Sequence, residues 1–118
     1  MVYRPRPRRV ALLGARVQLA ITIADVVDVS RTGVRIRVSH KWRAGSEWPL
    51  VLELPAAAPM RVIGRVARCE PADVSLPDGT VMQNQYQLAF TFVDLSTEVA
   101  AVLDRVCGTA AETGERTG

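Results

Sequence analysis

Residues 28–33 of the chain are Asp-Val-Ser-Arg-Thr-Gly, a stretch with the pattern D-x-S-x-x-G. Apolar residues stand before it, and in residues 34–38 apolar positions alternate with arginines. Alternation of this kind predicts a half-buried strand, and a polar stretch between two such runs predicts a turn. We expect Gly33 to close the turn with a positive φ, which glycine adopts without steric cost.

Asp28 and Ser30 carry the candidate chemistry of this turn. They lie two residues apart, so an extended chain points both side chains to one face. A carboxylate and a hydroxyl beside backbone N–H groups can bind a small polar ligand. Asp, Ser and Gly are also ordinary turn residues. The hexapeptide alone therefore fits either a binding turn or a plain hairpin.

Residues 1–9 form a basic arm in which arginines alternate with prolines. Proline disfavours both helix and sheet, so we expect an extended path at about 3.1 Å per residue. Arg4 and Arg8 make an R-x-x-x-R motif and are then separated by roughly 12 Å, enough to hold two sides of one compact ligand. Arg6 and Arg9 offer alternative registers. With so little apolar surface, we expect the arm to be mobile in the free protein.

The rest of the chain predicts short strands and one helix. We expect residues 10–29 to hold two strands, with a bend at Gly14-Ala15 or at Ala24-Asp25. Further strands are predicted over residues 33–38, 48–54, 60–69 and 85–93, with a long loop after residue 69 and an edge position at Pro49. Ser96 is expected to cap a helix that stops at Gly108.

Six short strands and a terminal amphipathic helix predict an all-β antiparallel barrel with one C-terminal helix. The chain has 118 residues, which suits one domain. We therefore expect an arm over residues 1–9, a barrel domain over residues 10–107 and a disordered tail over residues 108–118.

Charge is distributed unevenly along the chain. Residues 1–43 carry a net charge of +8 and residues 44–118 a net charge of −5. A basic front half predicts an anionic partner. Arginine outnumbers lysine fourteen to one, and arginine is the better residue for bidentate contacts to phosphate and to the guanine edge. A GC-rich genome would also give many arginines, so their positions carry more weight than their number.

Several classes of protein are disfavoured. Cys69, Cys107 and His40 cannot supply a four-ligand zinc site without carboxylates, and we expect both cysteines to be small apolar fillers. No nucleophile–base set or carboxylate pair is apparent, so we expect no catalytic residues and no enzyme. No apolar run approaches the ~20 residues of a membrane helix, and the N-terminus does not read as a signal peptide. A cytoplasmic protein is expected.

An R-x-x-x-R motif followed by [DN]-x-S-x-x-G resembles the signature of the PilZ domain, a bacterial receptor for cyclic di-GMP. The likeness continues in the later strands and covers roughly residues 4–107. It implies a six-stranded PilZ-type barrel that needs no cofactor or metal. It also implies that Arg4 and Arg8 bind the phosphates and stack on the guanine rings, and Arg9, which offers an alternative register, is a further candidate for ligand binding. By the same resemblance Asp28 and Ser30 contact a guanine or its backbone, and Gly33 shapes the turn.

Three functions remain open on this sequence. The first is a non-catalytic cyclic di-GMP receptor whose arm orders on binding and signals to a protein partner. The second is a PilZ-like adaptor that binds protein but not the nucleotide. The third is a barrel that binds single-stranded nucleic acid, and it is disfavoured because Phe90 and Phe92 look like core residues rather than stacking platforms.

Overall fold

The computed structural model describes residues 9–82 and 84–115. These residues form eight strands and one helix, which are β1 Arg16–Leu19, β2 Thr22–Val29, β3 Gly33–Val38, β4 Glu47–Glu53, β5 Met60–Pro71, β6 Val74–Ser75, β7 Val81–Met82, β8 Tyr86–Val93 and α1 Thr97–Glu115.

Six of the strands close into one barrel in the order β1-β2-β3-β8-β5-β4. Every neighbouring pair is antiparallel. Closure leaves no exposed strand edge in the barrel. The predicted all-β, six-stranded antiparallel barrel with one C-terminal helix is confirmed.

The turn between β1 and β2 lies at neither of the two predicted bends. It falls at Ala20 and Ile21, with Ala20 in the left-handed region at φ 55°. Gly14, at φ 83°, lies before β1, and Ala24-Asp25 is inside β2. This turn contains no Gly, Asn or Pro. The sequence therefore carries no turn signal from which its position could be predicted.

Pro49 lies where its missing N–H does least harm. It pairs with Ile63 of β5, whereas β1 pairs with β4 only from Leu50 onward. Although β4 is not an edge strand, Pro49 sits past the end of its neighbour β1. On the side of β1, residue 49 therefore has no ladder hydrogen bond to lose, and a strand tolerates proline at such a position.

The predicted long loop after β5 contains a small hairpin. Strands β6 and β7 pair across a turn at residues 76–80, where Gly79 has φ 88°. The carboxylate of Asp78 accepts a hydrogen bond of 2.9 Å from the Thr80 backbone N–H. The Asp78-Gly79 pair is therefore a signal for a hairpin turn. The prediction of a loop here missed this hairpin.

The helix begins as predicted and ends later than predicted. Ser96 Oγ accepts a hydrogen bond of 3.2 Å from the Val99 backbone N–H, which confirms the N-terminal cap. The backbone continues through Gly108 to Glu115, so the stop predicted at Gly108 is wrong. Gly108 adopts no left-handed conformation, which a glycine stop requires. Residues 116–118 of the expected tail lie outside the described residues.

The inward side chains of the six strands fill the barrel, and α1 covers part of it with Leu103 and Cys107. Phe90 is buried and Phe92 packs partly buried against the core, in agreement with the sequence. Cys69 and Cys107 are both free thiols that pack in or against this core, which confirms their role as apolar fillers. No helix within residues 9–82 and 84–115 is long and apolar enough to cross a membrane.

Candidate functional site

The D-x-S-x-x-G turn is closed around Ser30, which is 1% exposed. The Ser30 backbone N–H donates to the Gly33 carbonyl oxygen at 2.9 Å. The Ser30 hydroxyl oxygen accepts from the Thr32 N–H at 3.2 Å and also lies 3.4 Å from the Gly33 carbonyl oxygen. In this structure Ser30 fixes the shape of the turn.

Gly33 is required for a different reason from the one predicted. It does not hold a positive φ and is the first residue of β3, in register with Thr91 of β8. A Cβ added there would lie 2.2 Å from the Phe90 carbonyl oxygen, far inside van der Waals contact. The expectation of a positive φ is therefore wrong, and glycine is needed because two backbones approach closely.

Asp28 lies at the centre of a small cluster of charged side chains, which we call the Asp28 cluster (Arg9, Asp28 and Arg35). Arg35 is the cross-strand partner of Asp28 and binds both carboxylate oxygens, with 2.8 Å from Nε to Oδ1 and a short contact from Nη2 to Oδ2. Arg9 Nη1 donates to Oδ1 at 3.2 Å. The Asp28 side chain is only 10% exposed, so both oxygens are held within the protein.

Burial and charge act in opposite directions on Asp28. Burial raises its pKa, whereas hydrogen bonds and positive charge from Arg35 and Arg9 lower it by more in sum, so the pKa lies below the ordinary value. The same contact with Asp28 raises the pKa of Arg35. The cluster therefore holds one carboxylate and two guanidinium groups, a net positive site.

The root of the arm is fixed beside this cluster. Val10 forms an antiparallel bridge with Val29, with backbone N···O distances of 2.8 and 2.9 Å in the two directions. Arg9 precedes this bridge and keeps a side chain that is 41% exposed. Arg4 and Arg8 lie outside the described residues.

Arg35 is the residue of the cluster that the sequence motif missed. The signal was present, because a turn closed between Ser30 and Gly33 places Val29 opposite Val34 and Asp28 opposite Arg35. Opposite charges facing each other across two strands predict a pair. Of the predicted site residues, the structure brings Arg9 to Asp28 and places Ser30 and Gly33 in the adjoining turn.

The turn is also connected to the helix. Arg31 Nε lies 3.3 Å from Asp104 Oδ1 on α1, and both side chains are at least half exposed. Deeper in the interface, Cys107 Sγ donates to the Val29 carbonyl oxygen at 3.8 Å. Residues 29–31, which follow Asp28 directly, thus connect the Asp28 cluster to α1.

The side chains at this site have chemistry suited to ligand recognition. Guanidinium groups bind phosphate oxygens in a bidentate way, and a carboxylate accepts from N–H donors such as those of a guanine edge. Within the described part of the chain, no group of three or more His, Cys, Asp or Glu side chains is placed to hold a metal ion.

The fold has solved counterparts. The PilZ domain of YcgR from Escherichia coli, solved with c-di-GMP, superimposes with a TM-score of 0.74 at 14% identity, covering 98% of this chain and 97% of that one. The K. pneumonia MrkH–c-di-GMP complex gives a TM-score of 0.74 at 15% identity, covering 99% of this chain and 57% of MrkH.

At these identities the superpositions show the shared fold. No curated protein matches the chain significantly. The family model of the PilZ domain, in contrast, matches residues 4–108, which takes in the arginine motif, the turn and most of the helix. The chain therefore belongs to the PilZ domain family.

Proposed function

We propose that this domain is a non-catalytic receptor for cyclic di-GMP that acts in the bacterial cytoplasm. The observation that carries the proposal is the Asp28 cluster, in which the root of the arginine-rich arm is bridged to β2 and Arg9 reaches Asp28. Family membership and the c-di-GMP complexes of YcgR and MrkH support the same ligand.

The contacts of Asp28 suggest how the ligand enters. A carboxylate has about four acceptor positions, and Arg35 and Arg9 together use three of them. The Arg9 contact is the more easily replaced, because it is a single bond of 3.2 Å from a side chain that is 41% exposed. We propose that guanine N1–H and N2–H₂ take the place of Arg9 at Asp28.

Arg35 has a positioning role in this scheme. Its two bonds to Asp28 span both oxygens and fix the plane of the carboxylate. They also keep the Asp28 pKa low, so the group remains an anionic acceptor at neutral pH. Arg9, once released, joins Arg4 and Arg8 as a cation for the two phosphates of the ligand.

We propose that ligand binding orders the arm over this face and that the ordered arm forms a surface for a protein partner. A dianion held by Arg4, Arg8 and Arg9 would relieve the repulsion among the positive charges of residues 1–43. The barrel itself would act as a rigid scaffold. Amide exchange on residues 2–9 tests this step, because protection should rise only when ligand is added.

One observation favours the second candidate, an adaptor that binds protein but not cyclic di-GMP. The Asp28 carboxylate is already satisfied by two arginines of its own chain. If Arg9 does not leave, Asp28 keeps only one free acceptor position and cannot accept from both guanine donors. The two candidates therefore differ in whether the nucleotide can displace one intramolecular hydrogen bond.

Calorimetric titration with cyclic di-GMP decides between them. We expect affinity near the micromolar range, about −8 kcal/mol. Arg8→Ala should weaken binding at least tenfold, about 1.4 kcal/mol, and Arg43→Ala is the matched control because Arg43 is an exposed arginine in the loop after β3. No heat of binding by the wild-type protein would favour the adaptor, and equal losses in both variants would remove the assignment of Arg8.

A further inference from the structure

A groove of about 760 Å³ runs along the outside of the barrel, across β1, β4, β5 and the segment that leads from β8 into α1. Its walls are largely apolar, with Val51, Ile63, Val93 and Leu95 among them. Ile63 is 41% exposed and is the cross-strand partner of Val93. The groove shares no residue with the Asp28 cluster.

A fully exposed isoleucine stands at the rim of this groove. Ile21 is 99% exposed at the tip of the β1–β2 turn, and Ala20 before it lines the groove. The left-handed backbone of Ala20 makes the turn tight and holds Ile21 away from the barrel. Beside it, Ile23 is 61% exposed and pairs with Gln18, another lining residue.

These residues form one continuous surface, which we call the Ile21 surface (Ile21, Ile23 and the groove). Strand pairing joins Ile23 to Gln18, Gln18 to Val51 and Val51 to Arg61 in a single row across four strands. A cluster of exposed apolar side chains around a groove is typical of an interaction site.

The Ile21 surface is complementary to itself. It carries a protruding apolar side chain and a groove lined by apolar side chains next to each other. It also carries both signs of charge, Arg61 and Asp94, neither of which forms an ion pair with another residue in the described part of the chain. A two-fold axis lying between the protrusion and the groove would place each Ile21 in the groove of the other copy.

We propose that the Ile21 surface is a homodimer interface in which Ile21 of each copy enters the groove of its partner. The contact is isologous, so it closes at two copies. The groove lining includes no residue of the D-x-S-x-x-G turn, so this proposal does not rest on ligand binding at the Asp28 cluster.

Sedimentation equilibrium of the full chain, from micromolar to submillimolar concentration, tests the proposal. We expect a monomer–dimer equilibrium in the wild-type protein. Ile21→Asp should raise the dimer dissociation constant at least tenfold, about 1.4 kcal/mol. Ile63→Asp, which changes the groove rather than the protrusion, should do the same. Both side chains are exposed, so the fold should survive each change.

The chain offers a matched control in Leu13, which is also 99% exposed but lies before β1 and does not line the groove. Leu13→Asp should leave the dissociation constant unchanged. A wild-type protein that stays monomeric at every concentration overturns the proposal. So does a dimer that is insensitive to both Ile21→Asp and Ile63→Asp, or one that Leu13→Asp weakens equally.

Discussion

At Gly33, one absent side chain allows β3 to pair closely with β8. A Cβ there would meet the Phe90 carbonyl oxygen at 2.2 Å, and that oxygen belongs to backbone that cannot rotate away. We expect Gly33→Ala to lower the free energy of unfolding by about 1–3 kcal/mol, the usual cost of forcing atoms into a packed site.

Two comparisons isolate the cause of this loss. Gly108→Ala should not destabilise, because nothing lies within 4 Å of that Cβ and alanine favours helix over glycine. Gly33→Asn should be as harmful as Gly33→Ala, since asparagine tolerates positive φ but not a steric clash. Urea unfolding of the three variants measures this, and a well-tolerated asparagine would restore the positive-φ explanation.

Asp28 gives the domain a pH dependence whose sign follows from its lowered pKa. Between the folded pKa and the ordinary value of 3.8, the unfolded chain binds more protons than the folded one, so stability rises with pH. The stability that Asp28 contributes is complete above 3.8 and is lost as pH falls through the folded pKa. We expect Asp28→Asn to be about 1–3 kcal/mol less stable at neutral pH.

That difference between wild type and Asp28→Asn should shrink as the solution is acidified below pH 3.8, because there the Asp28 carboxylate of the unfolded chain takes up a proton while that of the folded protein stays ionised. Thermal unfolding as a function of pH measures it. Asp25→Asn, an exposed carboxylate on the same strand, serves as the control. A constant gap across the acid range would show that the low pKa of Asp28 contributes nothing to folding.

Among the single elements, the helix α1 is an integral part of the barrel domain. Leu103, a residue of α1, is fully buried against the barrel, whereas Leu13 is 99% exposed in the segment before β1. The same substitution at the two positions should separate them. Leu103→Ala should cost about 2–5 kcal/mol and Leu13→Ala less than about 0.5 kcal/mol. Equal melting temperatures would mean that the helix packs only loosely on the barrel.

Elements with a regular repeat of apolar residues could be predicted from the sequence, but the residues at which they begin and end could not. Strands β3 and β8 follow directly from alternation, because each has one face in the core. The β1–β2 turn uses Ala20 in a conformation that tertiary structure imposes, so no local signal marks it. At the site, the motif identified Asp28, but its contact with Arg35 depends on where the turn closes and so on the strand register. The bulge between Val26 and Asp28 has no signal in the motif.

At the scale of the whole molecule, a net charge of +8 in residues 1–43 should couple stability to an anionic ligand. Cyclic di-GMP at a hundred times its dissociation constant should stabilise the domain by about 2.7 kcal/mol, a rise in melting temperature of several degrees for this size. Added salt should reduce the shift at fixed ligand concentration, because it screens phosphate contacts. Arg8→Ala, if it weakens binding tenfold, should lose about half of the shift at that concentration, from about 2.7 to about 1.4 kcal/mol, while the melting temperature of the free protein stays the same. Arg43→Ala should keep both. Differential scanning fluorimetry measures all of these, and a shift that neither salt nor Arg8→Ala reduces would place the ligand away from the arm.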